Sequence, residues 1–272
     1  MIDKETIVCI SLAEKPGNLG ATIFNTAFQE LGMNYIYKPF LVRSEDLQNA
    51  ILGVRALGIR GCGVSMPHKM AVMQYLDEID PVAKEIGAVN TIVNRGGKLT
   101  GYNTDFEGVR VITRNDYRVK GKKVLLVGAG GAARAVICAL RENQAGEIAI
   151  TNRNGERARQ LAEQFHLRFI PWNECAREEA DLLINATPVG MNQEQTCVFS
   201  DTMIQKAEAV LDVVVSSTDT LLISKAKQYG KVALPGIRMS VIQGIAQFKL
   251  YTTPDVSEKI IEKGIATFFE NN

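Results

Sequence analysis

Gly128-Ala129-Gly130-Gly131-Ala132-Ala133 is the stretch whose residue types and spacing speak most directly to chemistry. It follows the buried-strand pattern Lys123-Val-Leu-Leu-Val and opens a helical pattern, so strand, glycine turn and helix start come in immediate succession. That order suits the pyrophosphate of a dinucleotide: glycines let the backbone approach closely, and a helix N-terminus offers unpaired N–H groups and the positive end of a dipole. The fit is G-x-G-x-x-A, with Gly128, Gly130 and Ala133, and Gly131 adds further room. Tight strand–helix turns also use glycine for structure alone, so the turn taken by itself leaves both readings open. An NAD enzyme usually holds an acidic residue about 20 positions beyond such a turn, against both ribose hydroxyls. Here that place reads Thr151-Asn152-Arg153-Asn154-Gly-Glu-Arg157. A carboxylate would repel a 2′-phosphate, whereas Arg153 and Arg157 can clamp one with charge-assisted hydrogen bonds. The alternative is a pair of solvated arginines at a helix start, where the dipole slightly disfavours positive charge. The expected cofactor is therefore NADP rather than NAD.

Such groups need elements to position them. Short β-branched runs alternate with helical patterns over the first hundred residues: strands near Ile7–Ser11, Asn34–Leu41 and Gly61–Ser65, and helices over Ala21–Leu31, Ser44–Leu57 and Val82–Ile86. A second series starts at Lys123 and continues through Ile148-Ala-Ile-Thr, Leu182-Leu-Ile-Asn, Val210-Leu-Asp-Val-Val and Val232-Ala-Leu. Alternation of this kind predicts mostly parallel sheets covered by helices, and 272 residues suffice for two α/β domains in tandem. Residues 103–120 are expected to form a helix bridging the domains, and residues 239–272 a helical tail broken at Thr252-Thr-Pro-Asp.

Composition narrows the partners. Lysine plus arginine number 31 against 30 acidic residues, so no overall field gathers nucleic acid or an anionic membrane, and a small molecule is the expected partner. The five cysteines, Cys9, Cys62, Cys138, Cys175 and Cys197, are scattered without a C-x-x-C pair, and two histidines are too few for a zinc site. They read as reduced thiols, and no metal is expected. The charged start Ile2-Asp-Lys-Glu lacks signal-peptide order, and no apolar run approaches the ~20 residues of a membrane span, which makes the cytoplasm the default address.

Further motifs carry a resemblance. Gly63-Val-Ser-Met-Pro-His-Lys69 is similar to the Asn-Val-Thr-x-Pro-x-Lys segment of shikimate dehydrogenases. Gly87-Ala-Val-Asn-Thr, Gly101-Tyr-Asn-Thr-Asp-Phe-Glu-Gly, the glycine turn, Asn185-Ala-Thr-Pro-Val-Gly-Met and Gly236-Ile-Arg-Met-Ser-Val-Ile-Gln resemble that family in order and approximate spacing. The resemblance implies an N-terminal α/β substrate-binding domain over 1–102, a Rossmann-like NADP-binding domain over 103–238, and helices over 239–272 that return to the first domain, with the active site in the cleft between. It implies reversible hydride transfer between NADP(H) and a ring hydroxyl or ketone of a hydroxylated cyclohexene carboxylate. Carried over by position, Lys69 and Asp105 form the catalytic pair, and Ser65, Asn90 and Gln243 are substrate contacts. Thr187, Val213, Gly236 and Met239 fall near the nicotinamide or its ribose. The chemistry is coherent on its own terms, because oxidising a secondary alcohol releases a hydride and a proton, and a lysine beside a carboxylate can take the proton or stabilise the alkoxide. Taken alone, a lysine after Pro-His reads as a solvated loop residue and Asn-Thr-Asp as a helix cap. The adjacent His68 falls at a variable position of the family and is read as structural or solvent-facing.

The sequence also departs from the family pattern. Where shikimate dehydrogenases carry Ser-x-Ser-Pro-x-x-His-Asn, the serines binding the substrate carboxylate, this chain has Asn18-Leu-Gly20-Ala-Thr-Ile-Phe-Asn25. The tyrosine of the family's Asp-x-x-Tyr stretch is replaced by Val215 after Asp212. The substrate site is accordingly expected to include Asn18 and Gly20 and to use shikimate weakly. Quinate dehydrogenase activity is a second reading, which Arg153 and Arg157 argue against, and a non-catalytic NADP-binding regulator a third, which the retained Lys69 and Asp105 argue against. The family contains monomers and homodimers.

Overall fold

The computed structural model describes residues 2–191, 195–216 and 218–270. Two compact units divide the chain, one holding residues up to Thr104 and again from Val241 onward, the other Asp105–Ser240.

In the first unit, strands β1 (Ile7–Ala13), β2 (Tyr35–Leu41) and β3 (Gly61–Val64) run parallel, with helices α1 (Leu19–Glu30) and α2 (Leu47–Ala56) as crossovers. Period-2 alternation sends Ile10, Leu12, Cys62 and Val64 to one face, where they pack with Leu47, Ile51 and Val54. The opposite face carries Cys9, Ser11 and Tyr37 from the same strands, paired in register. A two-residue strand β4 (Glu78–Ile79) precedes α3 (Pro81–Ile86), which Asp80 caps by accepting from Val82 N–H at 3.0 Å. Strands β5 (Thr91–Arg95) and β6 (Lys98–Tyr102) complete the order β2-β1-β3-β5-β6-β4. The sheet is mostly parallel, as expected, with β5 alone running against its neighbours β3 and β6. The cause is local: Gly96 and Gly97, at φ +61° and +88°, close a two-residue hairpin between Arg95 and Lys98.

The expected 103–120 helix is shorter than its apolar pattern. Helix α4 (Thr104–Val111) loosens into a π-turn over Ile112–Asp116, and the buried Thr113 hydroxyl bonds back to the Val109 carbonyl at 2.8 Å. In the second unit β7 (Val124–Val127), α5 (Gly131–Glu142), β8 (Ile148–Thr151), α6 (Gly155–Gln164) and β9 (Arg168–Phe169) are followed by β10 (Leu182–Asn185), α7 (Asp201–Lys206), β11 (Ala209–Asp212), α8 (Leu221–Gln228) and β12 (Val232–Leu234). All six strands are parallel in the order β12-β11-β10-β7-β8-β9. Every residue of β7, β8, β10 and β11 is buried, as strands covered on both faces require. The order in which strands are added reverses between β7 and β10, the kind of switch point at whose carboxyl edge open α/β sheets bind ligands.

The tail forms α9 (Gly236–Tyr251) and α10 (Glu258–Glu270), and residues 271 and 272 of the expected tail lie outside the described residues. In the first unit α10 packs on α1 closely enough that a Cβ on Gly264 would come within 2.6 Å of the Ile23 Cα. No described helix is long and apolar enough to cross a membrane, and the described residues contain no cluster of metal-ligating side chains. All five cysteines are free thiols.

Candidate active site

In the first unit, the loop that leaves β3 carries Ser65 and Lys69. The Ser65 N–H donates to Leu12 (2.9 Å), the Ser65 carbonyl accepts from His68 N–H (2.9 Å), and the Lys69 carbonyl accepts from Val89 N–H (2.7 Å). Ser65 is exposed and Lys69 half-buried. His68 is buried with its Nε2 2.8 Å from the Val42 carbonyl, which settles its role as structural. Beside this loop Asn90 ties two elements together. Its Oδ1 accepts from the Thr104 N–H and from the Thr91 hydroxyl, both at 2.8 Å, and its Nδ2 donates to the Thr104 hydroxyl at 3.0 Å. That hydroxyl donates onward to Gln243 Oε1 at 3.1 Å, while Gln247, one helical turn along α9, donates to Thr91 Oγ1 at 2.8 Å. Amides and hydroxyls thus form one bonded cluster, and the backbone of its segment is tied to β3 and the Lys69 loop by the Val64 N–H to Asn90 carbonyl and Val89 N–H to Lys69 carbonyl bonds. Asn18 caps α1 without a side-chain bond and is exposed, and Gly20 lies in the first turn of the same helix. Asp105 follows Thr104 directly and opens the second unit, buried in the first turn of α4.

In the second unit the candidate cofactor residues gather at the carboxyl edge. The two motif glycines are needed for different reasons. Gly128 has φ +130°, and a Cβ there would sit 2.6 Å from the Ala186 carbonyl oxygen, so backbone geometry and a neighbouring chain both demand glycine. Gly130 caps α5 at φ −99° and ψ −171°, which any residue adopts, and a Cβ there would meet no protein atom within 4 Å. Nothing in the fold requires Gly130 to be glycine, whereas a ligand lying on the helix N-terminus would. Ala129, Gly131 and Ala132 line the same turn half-buried, and Ala133 is packed inside. The next strand ends at Thr151, in register with Val127. Past it, Asn152 Nδ2 donates to the Asn154 carbonyl (3.2 Å), and Asn154 caps α6 by accepting from Arg157 N–H (3.1 Å). Arg153 and Arg157 are exposed.

Asn185 and Asp212, at the ends of β10 and β11, hold the two remaining edge loops. Asn185 Oδ1 accepts from the Thr187 N–H (3.0 Å) and hydroxyl (2.6 Å), and its Nδ2 donates to Asp212 Oδ1 and the Val189 carbonyl, both at 3.0 Å. Asp212 also accepts from Val214 N–H (3.1 Å) and the Thr220 hydroxyl (2.7 Å). Burial pushes the Asp212 carboxyl above the usual carboxylate range, although these three donors pull the other way. The network sets Thr187, and the Val213 N–H bonds the Asn185 carbonyl at 3.0 Å. Gly236 lies so close to this loop that its Cβ would fall 2.8 Å from the Asp212 carbonyl oxygen, and Met239 is buried one turn further on.

Comparison with known proteins assigns the family. The model of the shikimate dehydrogenase substrate-binding domain matches residues 18–92, and that of shikimate/quinate 5-dehydrogenase matches residues 111–209. A shikimate dehydrogenase-like protein of Haemophilus influenzae is 39% identical over 98% of both chains. The chain belongs to the shikimate dehydrogenase family. A relative named shikimate dehydrogenase (NADP(+)), from Desulforamulus reducens, is 40% identical over 89% of each chain. The crystal structure of a shikimate dehydrogenase in complex with NADP+ superposes with a TM-score of 0.89 at 34% identity, covering 98% of this chain and 97% of that one.

Within this shikimate dehydrogenase fold, sequence reasoning did not single out the hydrogen-bonding roles of several residues around the candidate site. Thr91, Thr104 and Gln247 complete the amide–hydroxyl cluster, and the period-4 spacing of Gln243 and Gln247 was a usable signal for the second glutamine. Asn25, the one residue of the altered serine stretch that matches the family, clamps the Tyr37 backbone, donating to its carbonyl at 2.9 Å and accepting from its N–H at 2.8 Å.

Proposed function

We propose that the protein is an NADP-dependent dehydrogenase that interconverts a ring alcohol and ketone of shikimate or a closely related hydroxylated cyclohexene carboxylate, with shikimate itself a weak substrate. The observation that carries the cofactor half is the open space at Gly130 on the N-terminus of α5, a cradle that a Cβ would fill. The residues present fit the dinucleotide. Gly130, Gly131 and Ala132 offer helix N–H groups to its pyrophosphate, with Gly128 and Ala129 shaping the turn. Arg153 and Arg157 face its 2′-phosphate, and Asn152 and Asn154 shape the loop that presents them. Thr187, Val213, Gly236 and Met239 border the nicotinamide end. When bound, NADP+ supplies a two-electron acceptor for hydride.

The chain's own groups handle the proton and the orientation of the ring. Lys69 meets the reacting oxygen and either receives its proton or stabilises the developing alkoxide. Asp105 accepts a hydrogen bond from a neighbouring ring hydroxyl. Ser65, Asn90 and Gln243 bind the remaining hydroxyls, the Asn90 side chain being already fixed by Thr91 and Thr104. Gly20 and Val215 supply no hydroxyl for the acid group, which supports weak use of shikimate. The test is to assay purified protein with cyclohexene and cyclohexane polyol acids and each nicotinamide cofactor. NADP-linked turnover of at least one ring acid is expected, and hydride transfer with none of them would overturn the proposal.

A further inference from the structure

Ser11, Gly63 and Thr91 lie in register across β1, β3 and β5, so their positions share one face of the first sheet. Gly63 leaves a gap in this row. The place its Cβ would take is 2.6 Å from the Tyr37 hydroxyl, 3.3 Å from Ser11 Cβ and 3.5 Å from Gln247 Nε2. A phenol from β2 therefore occupies the position where a residue on β3 would project. The ring is fixed on two sides: Asn25 holds the Tyr37 backbone, and Phe24 stacks on the ring at 4.8 Å between centroids and 16° between planes. Gly20 looks onto the same ring, since a Cβ there would meet the Tyr37 Cε1 and hydroxyl, both at 3.7 Å. Tyr37 is buried and Ser11 half-buried, and with 2.6 Å from the Gly63 Cβ position to the Tyr37 hydroxyl and 3.3 Å to Ser11 Cβ, the two hydroxyl-bearing residues flank the same gap.

We propose that the Tyr37 hydroxyl, backed by Ser11 and given room by Gly63, is a specificity-determining donor that binds the carboxylate of the ring substrate. The proposal rests on the substrate class proposed above. A carboxylate needs donors held in place and free of competing negative charge. Burial raises the phenol above its ordinary range, which favours the neutral O–H donor near neutral pH, where the substrate acid is ionised. Two adjacent hydroxyls can serve one carboxylate, Tyr37 donating to the acid and Ser11 donating to its second oxygen. A phenylalanine would fill the same space against Phe24 without introducing a buried hydroxyl to satisfy, so packing alone does not account for the tyrosine.

The test compares the full-length wild type with Tyr37→Phe and Ser11→Ala, using shikimate and its neutral carboxamide as the two ligands. Equilibrium binding of each ligand and NADP-linked turnover are both measured, with thermal unfolding as a check that each variant folds. Tyr37→Phe should weaken shikimate by about 10–100-fold, expressed in Kd and KM more than in kcat, while the carboxamide changes less than about threefold. Ser11→Ala should shift the same ratio in the same direction by a smaller factor. Equal losses for acid and amide, or an unchanged acid affinity in Tyr37→Phe, would overturn the assignment and leave the proposed activity standing. Acid-selective loss of binding in a protein that turns over none of the ring acids of the activity screen would uphold the subsite and remove the dehydrogenase reading. A wild type that binds neither ligand would overturn both.

Discussion

Replacing Gly130 by alanine separates a ligand cradle from a structural turn, and Gly128→Ala is its control. At Gly130 the added methyl meets no protein atom within 4 Å and the backbone is already in a region open to alanine. The expected cost to folding is that of a poorer N-cap, about 0.5–1 kcal/mol. For a domain of this size that lowers the unfolding midpoint by roughly 2–5 °C. At Gly128 the methyl would lie 2.6 Å from the Ala186 carbonyl oxygen on a backbone at φ +130°. Overpacking costs about 1–3 kcal/mol and the disfavoured dihedral about as much again, which corresponds to a midpoint lower by roughly 10–20 °C. Binding should rank the other way among folded proteins. Gly130→Ala should weaken NADPH by at least about tenfold, because the methyl occupies the close approach that a pyrophosphate makes on a helix N-terminus. Differential scanning calorimetry without ligand and a fluorescence titration with NADPH measure the two effects separately. A Gly130→Ala protein that binds NADPH as tightly as the wild type would refute the cradle.

Arg153→Ala should weaken NADP by on the order of 30–100-fold while NAD changes little, as loss of a charge-assisted phosphate contact predicts, and equal losses measured by titration would show that Arg153 does not read the 2′-phosphate. Lys69→Ala and Asp105→Ala should each lower kcat by on the order of 100-fold with NADP affinity nearly unchanged, and the double variant should lose far less than the product. Near-normal turnover in either single variant takes that residue out of the mechanism. The Asp212 carboxyl has its folded pKa raised by burial, so the native state binds the extra proton, and this group's contribution to stability is full below its ordinary carboxylate range and declines as pH rises through the folded value. Unfolding free energies of Asp212→Asn against wild type should therefore move in favour of the asparagine as pH increases across that window, and a difference that stays flat with pH counts against the assignment. Gly63→Ala should cost about 1–3 kcal/mol with Tyr37 present and clearly less beside Tyr37→Phe, because the phenol oxygen is the atom the methyl meets. A double-mutant cycle in denaturant with no coupling would mean that the ring is not where this clash places it.

What the sequence made legible is what local patterns encode. The strand, glycine turn and helix around Gly128 and Gly130 are contiguous, so their order could be read directly, and the same holds for Asn154 as the cap of α6. Lys69 and Asp105 could be singled out only through the ordered motifs around them, since each by itself resembles an ordinary loop or cap residue. The strands β4 and β9 have two residues each, too few for a period to show. The hairpin at Gly96-Gly97 carried a readable turn signal, and overlooking it left β5, the one reversed strand of the first sheet, out of the sequence reading. Tyr37 was out of reach for a different reason. Its hydroxyl meets Gly63 because β1 sets β2 and β3 side by side in a particular register, and no pattern in either stretch specifies that register.

The glycines at motif positions consequently do not mean the same thing, and their differences bear on what the protein recognises. Gly128 is demanded by its own backbone and by the Ala186 carbonyl, and Gly63 by the side chain of Tyr37. Gly20 is demanded by neither: the structure leaves ordinary van der Waals room there, 3.7 Å from the phenol. A serine at 20 would therefore fit as the fold stands, whereas the asparagine of the family pattern at 63 would require Tyr37 to move. The absence of a hydroxyl at 20 is thus a chemical difference that packing does not impose, while the glycine at 63 belongs with the inward placement of Tyr37. On the subsite proposed for this chain, the hydroxyls that meet a ring acid are carried by the sheet itself, on β1 and β2, rather than by the first turn of α1. A donor held by strand register and by the Asn25 clamp has less freedom than a serine in a helix-entry loop, so its effect should fall on which acid fits rather than on how fast hydride moves.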